Sequence, residues 1–131
     1  LRMSRGLGDV YKRQDVKYMD ENNYSIGKGN FINVGCLLSC HVWIGDFNNF
    51  GAFSTIGHDT QIGSYNVIMP STQICGCVSA GDINFFGISS IVLQGLNVGH
   101  KVTIGCHSVL MTDAKSEYTY FGNPAKPIIK K

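Results

Sequence analysis

Between Gly29 and His100 the chain contains no lysine and no arginine. A nucleic-acid surface needs a basic stripe along the fold, and seventy-two consecutive positions without lysine or arginine leave no place for one. Four of the eleven basic residues (Arg2, Arg5, Lys12, Arg13) stand in the first fourteen positions, and five more (Lys101, Lys115, Lys126, Lys130, Lys131) follow residue 100. Proline is scarce, at three residues, so the turns must be made some other way. No apolar run approaches the length of a membrane span, no secretory signal is visible, and a cytoplasmic protein without membrane partners is expected. The five cysteines (Cys36, Cys40, Cys75, Cys77, Cys106) form no C-x-x-C pair, and Cys75-Gly-Cys77 has no companion. They read as reduced thiols that serve as small apolar fillers. With 131 residues and 44 % hydrophobic content, one domain with a buried core is expected.

What the sequence does have is a period. Stepping by six from Ile26 gives Ile32, Leu38, Ile44, Phe50, Ile56, Ile62, Ile68, Ile74, Ala80, Phe86, Val92, Val98, Ile104 and Leu110, every one apolar. Glycine follows the apolar residue in nine of the fifteen hexads. The fifth position of each hexad is never charged and mostly small, as at Asn30, Cys36, Asn48, Ser54, Thr60 and Asn66. One hexad supplies a short strand with an inward aliphatic side chain, then a tight corner at which glycine is expected to relieve strain. Three hexads close a triangular coil of eighteen residues, so residues 26–115 make about five coils, each resting on the next at about 4.8 Å. The expected organisation is a non-repeat segment over 1–25, a β-helix over 26–115 and a tail over 116–131. Leu1–Gln14 resembles translated adapter sequence and reads as foreign to the repeat. Lys130-Lys131 reads as the start of a terminal helix or as a solvated end.

The hexads resemble those of the hexapeptide-repeat acyltransferases. That resemblance covers about residues 26–127 and implies an all-β fold, a left-handed parallel β-helix with a short C-terminal tail. Left-handedness comes from the family alone, since parallel crossovers are usually right-handed. Phe121-Gly-Asn-Pro-Ala-Lys126 is similar to the G-N-P-A-[KR] segment that closes many of these enzymes. Gly57-His58-Asp59-Thr60-Gln61-Ile62-Gly63, Ile68-Met69-Pro70 and Cys75-Gly76-Cys77-Val78 resemble the H-D-x-x-I-G … I-x-P … x-G-x-V segment of the sialic-acid O-acetyltransferases and bacillosamine-type sugar N-acetyltransferases. In that group the histidine is the general base, which implies that role for His58.

Stacking adds an independent argument. At eighteen residues per coil, Cys40, His58, Gly76 and Gln94 share one column, which puts the side-chain-free Gly76 one coil from His58. A base beside an unobstructed backbone N–H is what acyl transfer to an amine or hydroxyl requires, with Gly76 as oxyanion donor. Asp59 either orients the imidazole or pairs with His41 in the coil above it. His41, His100 and His107 read as surface or structural. Many relatives carry a second histidine nine residues after the first, where this chain has Val67.

The resemblance further implies acetyl-CoA as acetyl donor, laid between neighbouring subunits against Gly87, Ile88, Gly105 and Cys106. Lys101, Lys115 and Lys126 are the cations available to its phosphates. Ile88 and Cys106 form a column on a different corner from His58, so a site that uses both needs two subunits, in keeping with the family's homotrimer. The nearly uncharged flat faces between residues 29 and 100 favour such an assembly. The expected acceptor is a sugar or nucleotide-sugar, with an amine first and a hydroxyl close behind. Members of this group often carry a small nucleotide-binding domain ahead of the helix, and the 131 residues do not include one. A zinc enzyme like the γ-carbonic anhydrases would need three histidines, two of them close to five residues apart. Histidine spacings of 17, 42 and 7 do not supply that, and no metal is expected. The remaining alternative is a solenoid that binds a ligand or partner without turnover.

Overall fold

The computed structural model describes residues 2–3, 11–12, 16–19 and 23–131. Most of Leu1–Gln14, read above as foreign to the repeat, lies outside the described residues. All regular structure among the described residues is β, and none of it is a helix able to cross a membrane. Strands within the repeat are two or three residues long and pair in parallel with the strand eighteen residues on. Phe31 pairs with Asn49, Leu37 with Thr55, and Trp43 with Gln61. Three sheets therefore run side by side along one axis, as the six-residue period requires.

The core is the predicted column. Every residue of the six-step series from Ile32 to Leu110 is buried, and only Ile26, at its start, is half-buried. The fifth-position residues also point inward, but some do more than fill space. Asn30, Asn48, Asn66 and Asn84 are buried and stack eighteen residues apart. The side-chain oxygen of each accepts the backbone N–H of the residue one coil on: Asn48 at 2.8 Å, Asn66 at 2.8 Å, Asn84 at 2.9 Å and Val102 at 2.8 Å. This ladder satisfies buried amides that the short strands leave over. Asn66→Ala would orphan the Asn84 N–H and take from the Asn48 oxygen its side-chain donor, leaving it the backbone N–H of residue 66, so it is expected to destabilise by about 1–3 kcal/mol. Urea unfolding should show a lower midpoint at an unchanged slope.

Glycine's part in the corners differs from the expectation. The glycines that follow the aliphatic residues have ordinary φ. The left-handed backbone falls two residues later, at every hexad from Gly29 to His107, and mostly on non-glycine residues such as Phe47, Phe53, Asp59, Tyr65, Cys77 and Lys101. Each such conformation costs about 1–2 kcal/mol, and a stacking hydrogen bond offsets it. The N–H of the left-handed residue donates to a carbonyl one coil back, as Asp59 does to Cys40 at 3.0 Å and Cys77 to His58 at 2.7 Å. The post-aliphatic glycines exist for closeness instead. A Cβ on Gly57 would stand 2.4 Å from the amide nitrogen of Gly76.

Both ends continue the sheets in altered register. Tyr11–Lys12 and Lys17–Tyr18 pair in parallel with strands twenty residues on, so two extra residues fall between 18 and 24, ahead of the regular coils. After the last coil the chain turns at Gly122–Pro124. Tyr118–Gly122 and Ala125–Lys130 form an antiparallel hairpin, and Thr103 pairs with Thr119. Lys130 thus ends the strand Ala125–Lys130, and both terminal lysines are exposed: the chain finishes in a solvated end and not in a helix. The cysteine reading is also corrected: only Cys36 is buried, whereas Cys77 and Cys106 are exposed.

Candidate active site

The three faces meet at three kinds of corner, which differ in whether they satisfy their own amides. On the corner that carries Asp46, Ser64, Asp82, His100 and Ser116, every column N–H from Lys28 to His100 donates to a side chain of the next coil. The contacts run Lys28 to Asp46 (2.8 Å), Asp46 to Ser64 (2.9 Å), Ser64 to Asp82 (2.7 Å), Asp82 to His100 Nδ1 (2.9 Å) and His100 to Ser116 (2.9 Å). Here His100 is structural, as expected.

The His58 corner is left open. Gly76 is buried, and among the described residues its N–H has no hydrogen-bond partner. The Gly76 carbonyl is used, accepting from the Gly95 N–H at 3.0 Å. The imidazole of His58 lies against Gly76: a Cβ there would stand 2.6 Å from Nε2. The glycine was expected to leave the approach unobstructed. What its missing side chain provides is the space that the imidazole occupies.

Asp59 makes both of the contacts left open above. One carboxylate oxygen lies 2.7 Å from His58 Nδ1, and the other lies 3.3 Å from His41 Nδ1. The hydrogen bond to His58 is the largest influence that holds the Asp59 carboxyl below its ordinary range, with His41 adding to it against some desolvation. Asp59 is therefore ionised at neutral pH. Nδ1 is engaged and Nε2 is turned toward Gly76, which is the arrangement of an oriented base. The backbone beneath is fixed by Thr60, whose hydroxyl donates to Cys75 O at 3.0 Å, and by Cys77 N–H, which donates to His58 O. Because half of each side chain faces water, Asp59→Asn is expected to lower any turnover at least about tenfold, yet less than removal of the ring. Steady-state kinetics of the pure variant check this.

The structure brings His58, Asp59 and Gly76 together but does not join the cofactor candidates to them within one chain. Gly87, Ile88, Gly105 and Cys106 form a second corner, where buried Gly87 lies under Cys106 and a Cβ on it would stand 2.6 Å from the Cys106 nitrogen. The N–H groups of Ile88 and Cys106, like that of Gly76, have no partner among the described residues. Lys101 sits exposed on the third corner, and Lys126 sits exposed in the terminal hairpin. Val67 lies on a sheet face between Asn49 and Phe85. Sequence reasoning missed Cys77 as a member of the His58 cluster. The signal was present, since Cys77 stands eighteen residues after Asp59 and therefore directly on the next coil.

No protein-family model matches the sequence. An acyl-[acyl-carrier-protein]–UDP-N-acetylglucosamine O-acyltransferase from Burkholderia thailandensis is 32 % identical over 122 residues, which is 87 % of this chain and 47 % of that protein. The chain thus spans about half the length of the relatives it matches. Among solved structures, the acetyltransferase domain of PglB from Neisseria gonorrhoeae, in complex with acetyl coenzyme A, superposes with a TM-score of 0.82 at 23 % identity. It covers 92 % of this chain and 58 % of that one. A mutant of AntD, an N-acyltransferase from Bacillus cereus in complex with dTDP-4-amino-4,6-dideoxyglucose and coenzyme A, gives 0.88 at 18 % identity, covering 94 % and 81 %. At these identities the structural likeness concerns the fold, a left-handed parallel β-helix.

Proposed function

The chain belongs to the hexapeptide-repeat acyltransferase family, and from that premise we propose that it transfers an acetyl group from acetyl-CoA to an amine of a sugar carried on a nucleotide. One observation carries the reading. An oriented imidazole lies against Gly76, whose own N–H is unpaired among the described residues, although the neighbouring corner pairs every equivalent group.

His58 Nε2 takes the proton of the acceptor amine as that nitrogen attacks the thioester carbonyl. Asp59 holds Nδ1 and stabilises the imidazolium that results. The Gly76 N–H donates to the oxyanion, and His58 then returns the proton to the departing thiolate, so that no acyl-enzyme forms and the proton balance closes. Ile88 and Cys106 offer two backbone donors eighteen residues apart to the amide carbonyls of a pantetheine arm. Lys101 and Lys126 serve its phosphates, and a second copy of the chain in a homotrimer brings that corner to His58.

Support comes from the named ligands of the structural neighbours, which include acetyl-CoA, CoA and a dTDP-amino sugar. A second reading has its own support: the sequence relatives are named as O-acyltransferases that use an acyl carrier protein. Turnover assays with acetyl-CoA and with an acyl carrier protein thioester, each against amino and hydroxy nucleotide sugars, separate the two. Transfer from acetyl-CoA to an amine supports the first reading. Transfer only from the carrier protein replaces it, and a folded chain that binds neither donor is a non-catalytic solenoid.

A further inference from the structure

The column of left-handed corner residues that runs beside His58 contains His41, Asp59 and Cys77, stacked eighteen residues apart. His58, Asp59 and Cys77 each present one ligand atom, and the three atoms lie within 4.8 Å of one another on the exposed corner. Imidazole nitrogen, carboxylate oxygen and thiolate sulfur are all ligands for Zn2+, which takes them at about 2.0–2.3 Å in tetrahedral geometry with a free position for water. At least one of His58, Asp59 and Cys77 must shift to reach those bond lengths. All three are exposed, and an ion would take the place of the hydrogen bond between His58 and Asp59. His41, 3.3 Å from the far oxygen of Asp59, supplies the outer partner that fixes a ligating carboxylate.

We propose that His58, Asp59 and Cys77 form a Zn2+ site and that a bound ion switches the enzyme off by occupying the base. Formation of the Zn–S bond releases the Cys77 thiol proton to solvent, with no change in oxidation state. Zinc motifs usually have about two to five residues between paired ligands. Here two ligands are adjacent in sequence and the third arrives from the next coil, so the coil stacking assembles what the linear sequence separates. The inhibitory half rests on the reading of His58 as base, whereas the binding half does not.

The test uses the full reduced chain with Zn2+ alone and Co2+ alone. One saturable Zn2+ per chain is expected by calorimetry, weakened at least about tenfold in Cys77→Ser and unchanged in Cys106→Ser, the other exposed thiol. Co2+ should give a thiolate charge-transfer band that Cys77→Ser abolishes. Zn2+ should stop acyl transfer, EDTA should restore it, and Cys77→Ser should keep its rate in the presence of Zn2+. Binding that is indifferent to Cys77→Ser, or a Co2+ spectrum without the thiolate band, overturns the site. Zn2+ bound at Cys77 with the transfer rate unaffected overturns the switch. If no protein transfers an acyl group to any acceptor, the reading of His58 fails and takes the switch with it, while the binding arms still decide the site.

Discussion

His58→Ala is expected to lower kcat/KM for acyl transfer about 10²- to 10⁴-fold, the range typical for loss of a positioned general base. In barrier terms this is about 2.7–5.4 kcal/mol. The effect should fall on kcat more than on donor binding, because the backbone donors at Ile88 and Cys106 lie on another corner of the coil. Stability should barely change. The ring is half in water, and its one polar contact among the described residues is an exposed pair with Asp59, of a kind worth little in solution. The variant should therefore unfold at the native temperature and bind acetyl-CoA by calorimetry as the native protein does. A loss below tenfold would mean that the proton leaves by another route, and the assignment of His58 would be wrong. A large loss of stability would mean that the ring is a structural cover for Gly76 and that the kinetic result says nothing about catalysis.

The core was legible because a solenoid repeats its rule. Each coil contacts only its neighbours, so one six-residue pattern fixes the inward residue in every hexad, from Ile32 to Leu110. The column argument, which adds eighteen to a residue number, also put Gly76 beside His58. Two things resisted the same reasoning. The asparagine ladder looks in sequence like small inward filler, and only the hydrogen bonds show that Asn48 and Asn66 act as internal caps for the following coil. Side-chain direction was equally hidden. Asp46, Ser64, Asp82 and His100 each fold back over an amide of the preceding coil, whereas the His58 ring lies against the coil that follows, and stacking arithmetic treats the two alike. The ends were least legible, since at both of them the pairing distance departs from eighteen.

That difference in direction separates two glycines that the sequence presents as equivalent small residues. At Gly57 an added Cβ would stand 2.4 Å from the nitrogen and 2.8 Å from the Cα of Gly76, with the Cys75 carbonyl carbon at 2.5 Å. All three are backbone atoms of the next coil's corner, so they cannot move aside as a side chain could without parting two coils. Gly57→Ala is therefore expected to act as overpacking of a rigid core and to cost about 1–3 kcal/mol or more. It should lower the thermal midpoint by several degrees, and transfer activity should fall with it as the Gly76 amide shifts. At Gly76 the atoms in the way belong to the His58 ring, the far end of a rotatable and half-exposed side chain. Gly76→Ala is expected to fold at close to the native midpoint with the imidazole swung off its position, so that kcat falls by about 10²-fold or more while donor binding persists. Thermal unfolding and steady-state kinetics on the two variants give opposite rankings if this is right: Gly57→Ala is worse in stability, and Gly76→Ala is worse in turnover per folded molecule. Should Gly76→Ala unfold as readily as Gly57→Ala, the ring would be fixed as firmly as backbone, and Gly76 would count as a packing residue of the coil and not as part of the catalytic corner.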